Sequence, residues 1–292
     1  MTPGTLASLL SDECFNDVRA HPEFRTAVET AASKSVAHFQ RLDPTYQWIT
    51  KDIGRASICI TALTLHLIGD LTLQSLTALC LANNISSAGR VQQVVRRCQD
   101  VGAVTVQEGP GLWTRRPMRL GDGLIDTLRE RALIDLKAAL ALAPELAGAA
   151  ELAASDDGFV SYVLCVTMIA SLRRDVFAFR AASPIAVLLE REAGMLIAFD
   201  LLCAQSPQRA SLLERAPISR YALARRYGVS RAHINKILAE SVHLTCIGAD
   251  QVVFSQTLSQ AMERHFFAIF ALNQCAAQAL LSGWRFDPSQ RG

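Results

Sequence analysis

Residues 219–239 read SRYALARRYGVSRAHINKILA, and this stretch carries the strongest structural signal in the chain. Two short helices joined by a tight turn need a small residue where they cross and a turn residue that tolerates a positive φ. Ala224 meets the first need, and Gly228, four positions later, meets the second. The apolar positions that would pin both helices to a core are Leu223, Val229, Ile234, Ile237 and Leu238. The pattern predicts a helix–turn–helix.

The second helix of this motif has the side chains of a DNA-reading surface. Ser230 stands where a hydroxyl caps the first free N–H groups of a helix. The outward positions that follow hold Arg231, Asn235 and Lys236. Arginine and lysine pair with guanine or phosphate, and asparagine pairs with adenine. Residues 215–239 contain six basic side chains and no acidic one, so the stretch predicts binding to double-stranded DNA.

This segment resembles the helix–turn–helix of bacterial transcription regulators. With the predicted strands 244–247 and 251–254 and the turn between them, it resembles the winged helix of MarR-type proteins. The resemblance covers about 40 residues of the second half and a comparable stretch of the first. It implies that the second helix enters the major groove, with the wing beside the minor groove. The implied DNA-binding residues are Ser230, Arg231, Asn235 and Lys236, with Arg220, Arg225 and Arg226 on the first helix.

The first half repeats the pattern weakly, which indicates an internal duplication. Asn83 and Asn84 replace the turn glycine, and asparagine tolerates the left-handed conformation. The interval from Ile85 to Val91 is one residue longer than its counterpart, so the turn or the helix start should differ. At an offset of 144 residues, Leu79 pairs with Leu223, Cys80 with Ala224, Ile85 with Val229, Ser86 with Ser230, and Ala88 with Ala232.

The first half also has candidate DNA contacts on a helix and on a wing. The helix residues are Ser87, Arg90, Gln93, Arg96 and Arg97, and the wing residues are Arg115, Arg116 and Arg119. The predicted wing runs from residue 104 to residue 120 around Gly109-Pro110-Gly111. Arginines at a wing suit phosphates or a narrow minor groove. A solvated basic hairpin without a partner is the alternative interpretation.

The predicted fold is mainly α, with two tandem winged helix-turn-helix units, long flanking helices and small β-wings. The first unit with its N-terminal helices spans residues 1–145, and the second spans 146–292. A linker is predicted at 144–157, where proline, glycine and small residues gather. Helices are predicted at 4–19, 22–40, 45–69, 72–83, 87–101, 122–142, 158–181, 184–206, 219–227, 231–241 and 256–282. Short strands are predicted at 103–107, 112–119, 244–247 and 251–254.

Composition excludes several other classes of protein. The chain has 292 residues, 50% hydrophobic and 19% charged, with a net charge of +2. This length suggests about two domains, and the high hydrophobic content excludes disorder. No apolar run reaches the ~18–20 residues of a membrane helix. The first residues lack the basic segment of a secretory signal, so we expect a cytoplasmic protein without a membrane partner.

No pattern in the sequence predicts catalysis, a cofactor or a metal site. Phosphate-binding, dinucleotide-binding, nucleophile-elbow and zinc-protease motifs are missing. None of the eight cysteines forms a CxxC pair, so we interpret them as free and mostly buried thiols. Cys98, beside Arg96 and Arg97, is the one candidate for a thiol that senses oxidants, because neighbouring cations lower a thiol pKa. A core thiol is the alternative, and the prediction is a protein that is not an enzyme.

The sequence therefore predicts a transcription regulator that binds a specific double-stranded DNA site as a single-chain pseudo-dimer. Because the two candidate helices differ in side chains, an asymmetric site is expected unless two chains pair as a homodimer. A plasmid-type replication initiator and a winged-helix scaffold that binds no DNA are the alternatives. A small-molecule effector is left open, and the sequence names none.

Overall fold

The computed structural model describes residues 18–172, 183–206 and 211–285. Within these ranges the chain is mainly helical, with two small antiparallel sheets, as the sequence predicts. The helix predicted at 4–19 lies almost entirely outside the described residues. No described helix combines the length and the apolar character needed to cross a bilayer.

From Phe24 to Leu172, the first described range contains eight α-helices and one hairpin. The helices are α1 (Phe24–Arg41), α2 (Pro44–Thr50), α3 (Ile53–Leu67), α4 (Leu73–Ala82), α5 (Ala88–Asp100), α6 (Asp122–Leu140), α7 (Ala149–Ala154) and α8 (Asp156–Leu172). The hairpin pairs β1 (Val104–Val106) with β2 (Met118–Leu120). The backbone N–H of Met118 also donates to the carbonyl of Leu71 at 2.8 Å, just before α4. The sheet is thereby fixed to the helices that precede it.

The second part repeats this order with a fuller sheet. Its helices are α9 (Ala186–Leu189), α10 (Gly194–Cys203), α11 (Arg220–Tyr227), α12 (Arg231–Glu240) and α13 (Gln256–Leu281). Its strands are β3 (Arg215–Pro217), β4 (Leu244–Ile247) and β5 (Gln251–Phe254), with β5 in the centre of the sheet. Both halves therefore have a helix pair followed by a hairpin.

Some predicted elements were wrong. The helix predicted at 45–69 breaks, because the Asp52 carboxylate accepts from the Arg55 N–H at 2.8 Å and starts a new helix. The helix predicted at 184–206 is likewise divided at Ala193, whose φ is +60°. Of the strand predicted at 112–119, only Met118 and Arg119 form a β-pairing, and their partner is β1. Residues 113–115 form a 3₁₀ turn instead.

The predicted linker was also wrong. Residues 144–157 hold a 3₁₀ turn, all of α7 and the start of α8. Ala149 and Ala153 are completely buried. Alanine favours helix and allows close packing, so this small-residue stretch lies against α13 instead of spanning solvent.

Two apolar cores interlock along the chain. The N-half core is built mainly from residues 49–169 and takes in the last turns of α13 at 272–280. The C-half core is built mainly from residues 185–271 and takes in α1 at 24–39. The boundary predicted at residues 145 and 146 does not separate the two cores. Since each core holds a helix from the other end of the chain, packing, not a linker, joins the halves.

Candidate nucleic-acid interface

The helix–turn–helix at α11 and α12 has the geometry that its sequence predicts. Gly228 ends α11 in the left-handed conformation, with φ +59°. The Val229 N–H then donates to the Ala224 carbonyl at 3.0 Å and closes the turn. Ser230 caps α12 by accepting from the His233 N–H at 3.0 Å. Among the apolar residues that pin the two helices to the core, Val229 is partly buried and the others are buried: Leu223, Ile234, Ile237 and Leu238. Ala224, the small residue at the predicted crossing, is buried as well.

Helix α12 leaves a polar face in solvent. Ser230, Arg231, Asn235 and Lys236 are all exposed. The described residues offer no ion pair to Arg231, whereas Lys236 Nζ lies 3.5 Å from the Glu240 carboxylate one turn later. The face therefore presents one unpaired guanidinium, one amide and one partly neutralised ammonium group.

The hairpin after α12 is short and is fixed to α11. Residues 248–250 make the turn between β4 and β5, and Gly248 has φ +63°. The half-buried Arg220 guanidinium donates to the Ala249 carbonyl at this turn. Arg220, one of the predicted DNA-binding residues, therefore also holds the hairpin in place through a hydrogen bond to the backbone.

Helices α4 and α5 form a second helix–turn–helix with a different turn. Asn84 takes the left-handed conformation at φ +53°, as its side chain predicts. The Ile85 N–H donates to the Cys80 carbonyl at 2.9 Å, which matches the C-half turn at an offset of 144 residues. Ser87 then caps α5 by accepting from the Arg90 N–H.

The cap shows where the extra residue lies. Because Ser87 is equivalent to Ser230, the offset along the second helix is 143 residues, and Ser86 is the insertion. The predicted pairs of Ser86 with Ser230 and of Ala88 with Ala232 were wrong by one residue. The buried residues agree with the new register: Val91, Val94 and Val95 match Ile234, Ile237 and Leu238.

In this register the two helices present different faces. The positions of Arg231, Asn235 and Lys236 are occupied in α5 by Ala88, Gln92 and Gln93. Gln92 was not among the predicted site residues, although the offset of 144 pairs it with Lys236 and the corrected offset pairs it with Asn235. The signal that points to it is this pairing with a predicted site residue in either register. At the two cationic positions of α12, Arg231 and Lys236, α5 therefore carries Ala88 and Gln93.

Several predicted arginines are paired with acidic residues that are distant in sequence. Arg90 Nη2 lies 2.6 Å from Asp52 Oδ1, and Arg226 Nη1 contacts the Asp200 carboxylate. Although the sequence around each arginine lacks acids, helices α3 and α10 bring carboxylates to them. Arg90 and Arg226 thus join neighbouring elements through ion pairs. Because a carboxylate partly neutralises each of them, they should attract a phosphate less strongly than an unpaired arginine would.

The other predicted cations remain at the surface. Arg225, Arg96, Arg97 and Arg119 are exposed, as is Gln93. Arg97 lies 6.0 Å from the Trp48 ring. On the N-half hairpin, Arg115 donates through Nε to Gln74 Oε1 at 2.9 Å, and Arg116 is half-buried. Of the three predicted wing arginines, Arg119 is therefore the most available to a ligand.

The two helix–turn–helix motifs meet at a set of ion pairs, the junction network, made of Lys51, Asp52, Arg55, Arg90 and Glu192. Glu192 accepts from Arg55 Nη2 at 2.5 Å and lies 3.4 Å from Lys51 Nζ. Asp52 holds Arg90 of α5. The network thus joins the start of one candidate reading helix to the segment before α10.

The same network reaches the start of the other motif. Lys51 Nζ donates to the carbonyl of Gly228 at 3.4 Å, and His233 Nε2 lies 2.9 Å from the Glu192 carbonyl. His233 and Arg90 are equivalent positions in the corrected register, and each contacts a residue of the junction network. The junction network therefore contacts the same turn of both helices.

We expect Glu192→Gln to lower the free energy of unfolding by about 1–2 kcal/mol at neutral pH, because Arg55 is buried and loses a charged partner. Burial raises the pKa of Glu192, but the Arg55 hydrogen bond and the charge of Lys51 outweigh it and bring the pKa below its ordinary 4.5. A depressed carboxylate pKa stabilises the fold above the ordinary value and loses that effect as pH falls through the folded-state pKa.

Urea unfolding of the wild-type protein and of Glu192→Gln, at neutral pH and near pH 3, measures the difference in their free energy of unfolding. The difference should shrink as pH falls through the lowered folded-state pKa of Glu192, because protonation removes the charge that the variant lacks. If the free energies of unfolding differed by the same amount at both pH values, the stabilising role assigned to the Glu192 charge would be wrong.

Cys98 does not lie in the surroundings that we predicted. Its side chain is buried, while Arg96 and Arg97 are exposed. A hydrogen bond with the Cys59 thiol lowers the pKa of Cys98 and burial raises it, so the arginines are not the cause. Cys98 is a core thiol, which was the alternative interpretation. Among the described residues, no group of three or more His, Cys, Asp or Glu side chains could hold a metal ion.

The chain matches no family model, and no curated protein or solved structure is significantly similar to it.

Proposed function

We propose that this protein is a transcription regulator that binds double-stranded DNA through two winged-helix units in one chain. The observation that carries the proposal is the exposed face of α12, where Arg231, Asn235 and Lys236 follow a Ser230 cap. A hairpin stands directly after the helix, as a wing does. Arginine, asparagine and lysine at such positions suit base edges and phosphates.

The two units are proposed to contribute unequally. The α12 face carries cations in its first two turns, at Arg231 and Lys236, whereas the equivalent α5 positions carry Ala88 and Gln93. The cations of α5 stand in its later part, at Arg96 and Arg97. We infer that α12 provides most of the base contacts and that α5 provides amide and phosphate contacts. This difference supports an asymmetric DNA site.

The experiment that tests the proposal is a fluorescence anisotropy titration with duplex DNA at increasing salt. Cations that bind phosphates release counterions, so the logarithm of the affinity should fall steeply and linearly with the logarithm of the salt concentration. An affinity that is independent of salt, or no binding to any duplex, would overturn the proposal.

Mapping of binding sites across the genome separates the three functions. A regulator is expected at promoters, a replication initiator at clustered repeats, and a scaffold at no DNA sites. Occupancy confined to one repeat cluster would favour the initiator and would contradict regulation.

A further inference from the structure

A large cavity lies between the two cores. Its volume is about 990 Å³, at the upper end of the range for small-molecule sites. Its walls come from α1, α3, α6, α8, α10 and α13, so both halves of the chain contribute. Most of the lining is apolar and includes Phe39, Leu63, Phe159, Phe199 and Leu272. A cavity with these walls suits a ligand that is mostly apolar.

One wall of the cavity is polar. Arg131 and Asp135, one turn apart on α6, form an ion pair with Nη1 and Oδ2 2.6 Å apart. Tyr162 donates its hydroxyl to Asn273 Oδ1, while Asn273 Nδ2 donates to the Ile269 carbonyl at 2.7 Å. All four residues line the cavity, and hydrogen bonds are present at Tyr162 and Asn273.

The polar wall has little net charge near neutral pH. Two histidines, His38 and His265, line it. Burial lowers the pKa of both, and that of His265 falls to about 4, with the Arg131 charge adding to the effect. Both imidazoles are therefore neutral, and Asp135 balances the charge of Arg131.

Other cations stand at the edge of the cavity. Lys51 is paired with Glu192, and Arg191 is paired with Glu240. Arg264 is exposed to solvent, where its charge is screened. The described part of the cavity lining therefore offers no strong, uncompensated charge to an ionic ligand.

Three buried polar atoms of residues in this wall have no hydrogen-bond partner among the described residues. They are the acceptors His38 Nε2 and Asp135 Oδ1 and the donor Arg131 Nη1, whose contact with Asp135 is an ion pair without hydrogen-bond geometry. His38 Nδ1 lies 3.1 Å from Glu130 Oε2, so Nδ1 carries the proton and Nε2 presents a lone pair. A buried acceptor without a donor is unfavourable, and a ligand that donates a hydrogen bond would satisfy it.

We propose that this cavity binds a neutral, mostly apolar small molecule with a hydroxyl group, which donates to His38 Nε2 or Asp135 Oδ1. A carboxylate is disfavoured because Arg131 already has a counter-ion. An ammonium group is disfavoured because Asp135, the acidic residue among the described lining, already has Arg131 as its counter-ion. The site is independent of DNA binding and holds or fails separately from the proposed function.

The test is isothermal titration calorimetry of the full chain, without DNA, near neutral pH. Three probes share one apolar body and differ in the polar group: 4-phenylphenol, biphenyl-4-carboxylate and 4-phenylbenzylammonium. We expect 4-phenylphenol to bind at least about tenfold more tightly than either ion. No binding of 4-phenylphenol, or equal affinities for the three probes, would overturn the proposal.

Two variants of lining residues and one control variant test whether the probe binds in this cavity. Ala132→Phe fills the cavity and should weaken 4-phenylphenol binding at least about tenfold, whereas Ala78→Phe, at an exposed position of α4, should leave it unchanged. Asp135→Asn leaves Arg131 without a counter-ion and should raise the affinity for biphenyl-4-carboxylate about tenfold. Equal effects of the two phenylalanine variants would place the probe elsewhere. The wild-type probe series decides the proposal even if a variant fails to fold.

Discussion

The double variant Arg231→Ala/Lys236→Ala should lose at least about 30-fold in affinity for duplex DNA, or ~2 kcal/mol. Each side chain is expected to contribute about 1–3 kcal/mol if it contacts a base or phosphate. The unpaired Arg231 should account for more of the loss than Lys236, which shares its charge with Glu240. Anisotropy titrations with a selected DNA site at fixed salt measure the affinity.

The matched control removes two positive charges elsewhere. Lys34 on α1 and Lys137 on α6 are exposed and lie outside both helix–turn–helix motifs. Lys34→Ala/Lys137→Ala should therefore change the affinity by less than about threefold, since distant exposed charges are screened by salt. An equal loss in both double variants would mean that only net charge matters, which would contradict a specific role for α12.

Tyr227→Ala should lower the free energy of unfolding by about 3–5 kcal/mol, the usual cost of emptying a large aromatic site in a core. Tyr227 is 1% exposed, its ring centroid lies 5.4 Å from that of Phe39, and its hydroxyl donates to the Leu196 carbonyl at 3.2 Å. The side chain thus attaches α11 to α1 and to α10. Its loss removes contacts to two elements that are far apart in sequence.

Two controls separate packing from the hydroxyl group. Tyr227→Phe keeps the ring and should cost only about 1 kcal/mol. Tyr221→Ala removes an exposed tyrosine from the same helix and should stay within about 0.5 kcal/mol of wild type. Urea unfolding followed by circular dichroism measures all three variants. If Tyr227→Ala and Tyr221→Ala proved equally mild, the assigned attachment of α11 would be wrong.

Local features of the fold could be predicted from the sequence, because they depend on neighbouring residues. The helix–turn–helix at α11 and α12 follows from Ala224, Gly228 and Ser230. The N-half turn follows from the left-handed tolerance of Asn84, whose φ is +53°. Strands β4 and β5 were predicted with the bounds that the structure has. Each of these features is set by a backbone conformation, a cap or a short apolar pattern.

The candidate site was predicted less completely than the fold, because its charges depend on distant partners. Arg90 and Arg226 are predicted DNA contacts, yet Asp52 and Asp200 pair with them across elements. Gln92 was not predicted, although it pairs with a predicted site residue of α12 in either register. A charge count along the sequence cannot include acids that packing brings close.

The sequence by itself determined the helix–turn–helix at α11 and α12, its turn and cap, and which side chains of α12 face outward, because these features depend on neighbouring residues and local periodicity. Only the tertiary structure decided how the halves join. It placed α1 in the C-half core and the end of α13 in the N-half core. It also decided that residues 144–157 pack as helix, and that Lys51, Arg55 and Glu192 meet at a junction. Burial and ion pairing act through space, between residues that the chain separates by more than a hundred positions.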